Sequence, residues 1–315
     1  METKKILEQI KELYAQIKKM QTKGEIKTTS ADMQYIDLLG EIVTKGEILS
    51  SRAGETISIP NKTLSFDLGN ELPILTSKFV ASKSAILESF WMYKHQSNDV
   101  RWLQERKIKI WDGWQCDDKG DYYVNGKLLK SLGKEYAYTI GTAYGWILKK
   151  NNQPQRLIET IKTNPQDRRM IISLWEEEYL ATACLPSCVW NTMWNVKEGK
   201  LNVIVSQRSC DSALGLPFNI LQYAVLNTLI AHTTGLKPGN MLWVISDAHI
   251  YCNQLEGIKT QFERFIEQKG SPAAPSIWIN PEVKDYFDFD SSVDMLDIKI
   301  IDYTHNGKIS MPVSI

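Results

Sequence analysis

Cys188, in the run Leu185-Pro186-Ser187-Cys188, and Arg208, in Gln207-Arg208-Ser209-Cys210-Asp211, are the residues of this chain best suited to chemistry. A thiol attacks carbon only as a thiolate, so it needs a neighbour that stabilises negative charge. Arginine is charged at every working pH, and its planar fork also grips phosphate in bidentate fashion. Together with the Asp211 carboxylate, the two motifs point to covalent chemistry on an anionic substrate.

Glu88 is a candidate proton carrier. It stands among Leu87, Phe90 and Trp91, where the spacing predicts a buried helix over 82–95. Partial desolvation there would raise its pKa and suit it to proton transfer. Cys184 and Cys188 have the spacing of a metal pair, but no second Cys/His pair accompanies them. The four histidines, His95, His232, His249 and His305, are scattered, so no metal is expected. No G-x-G-x-x-G or Walker loop occurs, which argues against dehydrogenases using nucleotide cofactors and against ATPases.

The elements that must position these groups can be read from periodicity. Ile6, Ile10, Leu13, Ile17 and Met20 form an amphipathic helix whose apolar stripe needs a partner: the chain itself, another subunit or a foreign protein. Residues 22–30 read as a linker, which divides the chain into an N-terminal helix with linker, 1–30, and a catalytic domain, 31–315. Strands are expected at 63–68, 170–175, 201–206 and 241–245, with a long apolar helix over 217–231. The pattern is mixed α and β without strict βαβ alternation.

Composition limits the partners. Hydrophobic residues at 43% and charged residues at 23% suit a globular chain rather than a disordered one. Thirty-seven basic residues balance thirty-seven acidic ones, leaving no net field for DNA or another polyanion, so phosphate recognition must be local. Five cysteines without framework spacing, no signal peptide and no long apolar run predict a reduced cytoplasmic protein with no membrane partner.

An ordered set of motifs goes further. Ser51-Arg52-Ala53-Gly54, Glu88-Ser89-Phe90-Trp91, Ile110-Trp111-Asp112-Gly113-Trp114, Ala143-Tyr144-Gly145 and Asp167-Arg168-Arg169 precede the two cysteine motifs. Gly215-Leu216-Pro217-Phe218-Asn219, Asp247-Ala248-His249-Ile250-Tyr251 and the terminal Pro312-Val313-Ser314-Ile315 follow them. From about Asp37 onward the chain resembles the thymidylate synthase family. The resemblance implies an α+β fold in which a curved mixed sheet forms a homodimer interface, with helices on its other face. It implies a methyltransferase that converts dUMP to dTMP, with 5,10-methylenetetrahydrofolate as co-substrate and no metal. Carbon 5 of uracil is too weak a nucleophile to act unaided, and thiolate addition at carbon 6 activates it.

By this resemblance Cys188 is the nucleophile, and Arg208 stabilises its thiolate while holding phosphate. Arg52 and Ser209 join it there, with Arg168 and Arg169 reaching in from the partner subunit. Asn219 reads the uracil edge, since an amide offers both a donor and an acceptor. His249 and Tyr251 bind the deoxyribose hydroxyl. Asp211 holds the folate pterin against Ile110, Trp111, Trp114, Leu214, Gly215 and Phe218. Glu88 organises water and protons, Tyr144 assists proton removal at carbon 5, and Trp111 with residues 313–315, Ser314 among them, keeps water out.

Three positions depart from the usual family pattern: Val189 after the nucleophile, Glu176 after the strand tryptophan and Ser246 before Asp247. The last two are expected to alter the water network or the room beside the base. The alternative activity is dUMP hydroxymethylation, in which water quenches the same intermediate; Trp111 and the C-terminal tail favour the synthase by excluding water. A non-catalytic relative binding nucleotide or RNA is a third reading, opposed by the intact set Cys188, Arg208, Glu88 and Asn219.

Overall fold

The structure, a computed structural model, describes residues 2–314. Its helices are α1 (Glu2–Thr22), α2 (Ser30–Lys45), α3 (Ser82–Ser89), α4 (Arg101–Gln104), α5 (Gly145–Lys150), α6 (Gln153–Thr163), α7 (Gly215–Thr233) and α8 (Leu255–Glu267). Strands β1 (Glu47–Ser51), β2 (Gly54–Asp67), β5 (Ile171–Ser173), β6 (Val189–Lys197), β7 (Lys200–Asp211) and β8 (Lys237–Tyr251) form one sheet in the order β1-β2-β8-β7-β6-β5. Two small ribbons, β3 (Asp121–Val124) with β4 (Lys127–Ser131) and β9 (Ser276–Ile279) with β10 (Ile298–Ile301), lie apart from it.

The sheet is mixed. β7 and β8 run parallel because α7 carries the chain back between them, whereas the other neighbours are antiparallel. Irregularities in register near Val189 and Leu201 bend the two strands that lead to the cysteine and arginine motifs. Along β7, Leu201, Val203, Val205 and Gln207 are buried and alternate with half-buried Asn202, Ile204, Ser206 and Arg208. The buried face carries α7, which is apolar around most of its circumference because α3 packs on its other side. The opposite face leaves Ile171, Trp190 and Met193 exposed.

The N-terminal stripe has its partner in the same chain. α1 packs on α8 and α2, with Ile10 and Ile17 fully buried. The Tyr14 ring occupies the space where a side chain at position 40 would begin, so α2 carries glycine there. The Tyr14 hydroxyl and Lys18 both donate to Asp37, each at 3.1 Å. The expected linker is pinned as well: Lys27 N–H donates to the Lys269 carbonyl at 2.9 Å, and the Thr29 hydroxyl caps α2 by accepting from Asp32 N–H.

The helix expected over 82–95 is α3 followed by a π-helical turn, Phe90–Lys94. β2, β7 and β8 all run longer than the apolar stretches that announce them. Their polar ends still find ladder partners, Ser209 opposite Asp247 and Asp211 opposite His249.

Candidate active site

Cys188 lies immediately before β6, and its carbonyl accepts the Arg208 N–H at 2.9 Å. Pairing of β6 with β7 therefore sets the thiol beside the guanidinium. Arg208 is held before any ligand arrives: Nε donates to the Ser187 carbonyl at 3.0 Å and Nη2 to that of Pro186 at 2.8 Å. The Trp175 ring lies 5.3 Å beneath it. The Cys188 N–H donates to the Tyr144 hydroxyl at 3.0 Å. Tyr144 has φ +46° and ψ −105°, a conformation L-residues avoid, so the residue that carries this hydroxyl is held on a strained backbone.

Burial pushes the Cys188 thiol above its ordinary range, and Arg208 offsets only part of that. Arg208 favours the thiolate as its charge requires, but desolvation outweighs it. Glu88 is buried at the end of α3. Its Oε1 accepts from Trp111 Nε1 at 2.7 Å and its Oε2 from Gln222 Nε2 at 2.5 Å. Burial outweighs both hydrogen bonds and pushes its pKa up to about 7, the direction its apolar neighbours imply.

Asn219 on α7 donates through Nδ2 to Gln222 Oε1 at 3.1 Å and accepts at Oδ1 from Gln207 Nε2 at 3.4 Å. Gln207 in turn accepts from Trp243 Nε1 at 2.9 Å. Asp211, at the end of β7, accepts from the N–H groups of Ala213 and Leu214 at 3.2 and 3.0 Å and from Gln254 at 3.1 Å. Behind it the buried Lys78 donates to the Ala213 carbonyl at 2.5 Å, steadying the same turn. His249 Nδ1 shares a 2.7 Å hydrogen bond with Asp247, and its ring meets Tyr251 edge-on at 5.3 Å.

These groups converge on one cavity of about 410 Å³. It is lined by Arg52, Glu88, Ile110, Trp111, Trp114, Tyr144, Cys188, Arg208, Ser209, Asp211, Leu214, Gly215, Phe218, Asn219, His249, Tyr251 and Ser314. Arg168 and Arg169 are not among the lining residues; both are exposed, and Arg169 pairs with Asp167 at 3.1 Å. Ile315 lies outside the described residues. Trp111 packs between Trp91, Trp114 and Tyr144, with ring centroids 5.3–5.9 Å apart.

Two departures from the usual pattern fall elsewhere than expected. Glu176 accepts from Lys150 and Asn151, both at 3.0 Å, and Ser246 is exposed; neither lines the cavity, whereas Val189 does. Cys184 faces Cys116 at 3.4 Å, away from the cavity. Gln207 and Gln222 line the cavity and were missed by sequence reasoning. The one hint for Gln222 was an amide three positions after Asn219, on the same face of a largely apolar helix. Among the described residues, no cluster of three or more His, Cys, Asp or Glu could hold a metal, and no helix is long and apolar enough to cross a membrane.

A family model described as thymidylate synthase matches residues 33–315. Thymidylate synthase of Clostridium beijerinckii is 44% identical over 285 residues, covering 90% of this chain and 98% of that protein. Thymidylate synthase 1 of Bacillus subtilis is 38% identical over 307 residues, 91% of this chain and 100% of the other. The solved structure of thermostable thymidylate synthase A from Bacillus subtilis superposes with a TM-score of 0.76 at 36% identity, covering 90% of this chain and 99% of that one. On matches of this extent, in sequence and in fold, the chain belongs to the thymidylate synthase family.

Proposed function

We propose that the protein methylates dUMP reductively to dTMP, with 5,10-methylenetetrahydrofolate as co-substrate. The observation that carries this reading is the meeting of Cys188, Arg208, Glu88 and Asn219 in one cavity. Cys188 Sγ adds to carbon 6 of the uracil as the thiol proton leaves, with Arg208 offsetting the charge. Asn219 holds the base edge, and Arg52, Arg208 and Ser209 take the phosphate. His249 and Tyr251 meet the sugar hydroxyl.

The folate supplies a one-carbon unit and then a hydride. The residues present suit it: Ile110, Trp111, Trp114, Leu214 and Phe218 make an apolar wall, Gly215 leaves room beside it, and Asp211 is an acceptor for a pterin. Glu88, with a pKa of about 7, gives and takes protons at neutral pH, and Tyr144 assists proton removal at carbon 5. Val313 and Ser314 close the mouth. Trp111, tied to Glu88, excludes water from the exocyclic carbon, which favours hydride transfer over hydroxymethylation.

The protein works as a homodimer through the open sheet face, where Ile171, Trp190 and Met193 form an uncovered apolar patch. Arg168 and Arg169, exposed beside that face, complete the partner's phosphate site. Incubation with dUMP and methylenetetrahydrofolate, followed by mass spectrometry of the nucleotide, tests the activity. The expected products are dTMP and dihydrofolate; hydroxymethyl-dUMP with tetrahydrofolate, or no turnover, would refute it.

A further inference from the structure

An asparagine side chain does not by itself distinguish uracil from cytosine. Uracil presents an acceptor at O4 beside a donor at N3, and cytosine presents the reverse. A half-turn of the amide exchanges its own donor and acceptor at little steric cost. Discrimination therefore depends on whatever prevents Asn219 from turning.

The hydrogen bonds around Asn219 all run one way. At one end the Trp243 indole can only donate, and it fixes Gln207 with its oxygen toward Trp243 at 2.9 Å. Gln207 Nε2 is further committed to the Ser209 carbonyl at 3.1 Å, and the same nitrogen faces Asn219 Oδ1 at 3.4 Å. At the other end an ionised Glu88 can only accept, so Gln222 must turn its nitrogen to it and its oxygen to Asn219 Nδ2. A half-turn of Asn219 alone would set N–H against N–H at Gln207 and oxygen against oxygen at Gln222. Gln222 cannot turn with it, because its oxygen would then face the carboxylate. Gln222 is almost wholly buried, so water does not readily take its place.

We propose that Gln222 is the positioning residue that locks the Asn219 amide in the orientation complementary to uracil, and so sets the preference for dUMP over dCMP. This rests on the reading of Asn219 as the base-contacting residue. Of the two bonds that orient Asn219, the one to Gln222 is the shorter, so its loss releases most of the constraint.

The test is the ratio of Kd for dCMP to Kd for dUMP, measured by calorimetry on the full-length protein at pH 8.5, where Glu88 is ionised. Gln222→Met removes the acceptor and should shrink the ratio at least about tenfold, the worth of roughly one buried hydrogen bond. Gln222→Glu keeps an acceptor for Asn219, because two carboxyls so close retain one proton between them, held toward Glu88, and it should hold the ratio within about threefold of the parent. Both variants are first checked for a cooperative thermal melt; if Gln222→Met does not fold, Gln222→Ala replaces it with the same expected fall.

A purely structural role would weaken both nucleotides together. An unchanged ratio in Gln222→Met therefore overturns the proposal, as does an equal fall in Gln222→Glu. A parent protein that binds dUMP no better than dCMP speaks instead against the proposed function, and that is known before any variant is made.

Discussion

Replacing Glu88 with glutamine should make the protein more stable at high pH and leave it little changed at low pH. Burial raises the Glu88 pKa from 4.5 to about 7, so the folded state holds a proton that the unfolded state has released between those values. Stability from this group is fully present below 4.5 and is lost as the pH rises through about 7. The shift corresponds to about 3 kcal/mol, most of which falls between about pH 5 and pH 8.5. Glutamine has nearly the same shape and does not titrate. Any fixed cost of turning Gln222 to suit the new amide cancels when the two pH values are compared. Urea unfolding of parent and Glu88→Gln at both pH values gives the difference directly. A stability gap constant to within about 0.5 kcal/mol across that range would refute the assignment of Glu88 as a buried, raised carboxyl.

Cys188→Ala should abolish the covalent adduct that forms with 5-fluoro-dUMP and folate, read by mass spectrometry of the denatured protein; an adduct that persists assigns the nucleophile elsewhere. Asn219→Asp should move preference toward dCMP, because a protonated acid matches cytosine's edge; unchanged discrimination would remove Asn219 as the base reader. Subunits carrying Cys188→Ala, mixed with subunits in which Arg168 and Arg169 are both alanine, should regain activity that neither form has alone. Continued inactivity of the mixture counts against a shared site. Ile17→Ala, which empties a fully buried position on α1, should cost about 2–5 kcal/mol in urea unfolding, and a loss below about 1 kcal/mol would make that helix peripheral.

The chemistry of the site was more legible than the geometry that tunes it. Cys188, Arg208, Glu88 and Asn219 stand in motifs whose order carries a resemblance, and the structure gathers all four around one cavity. α1 could be read because its apolar residues, from Ile6 to Met20, repeat at helical spacing over about four turns. The full reach of β8 could not. Ser246 and Asp247 interrupt its continuous apolar run, and beyond them buried Ala248 and Ile250 alternate with His249 and Tyr251, whose side chains line the cavity, so the strand goes on past the point where its hydrophobic run stops. The Cys188 thiol shows the same limit: sequence names the guanidinium that lowers its pKa, but the burial that raises it arises only when the fold brings distant segments, that of Tyr144 among them, around it. Gln222 went unread because an amide within an apolar helix acquires meaning only once Glu88 and Asn219 are seen on either side of it.

Gln207, Ser209 and Asp211 reach the cavity from one face of β7, with Arg208 entering beside Cys188 from between them, and the ladder holds Ser209 opposite Asp247 and Asp211 opposite His249. Side chains on a strand point to opposite faces with a period of two, so deletion or insertion of one residue there exchanges the two faces. Such a change in β7 would offer Arg208 and Cys210 where Ser209 and Asp211 stand, even though no functional residue had been replaced. The turn between β3 and β4, Asn125-Gly126, carries no such constraint. A library built with single-codon insertions and deletions should therefore tolerate changes of length at that turn and lose activity sharply within β7 and β8.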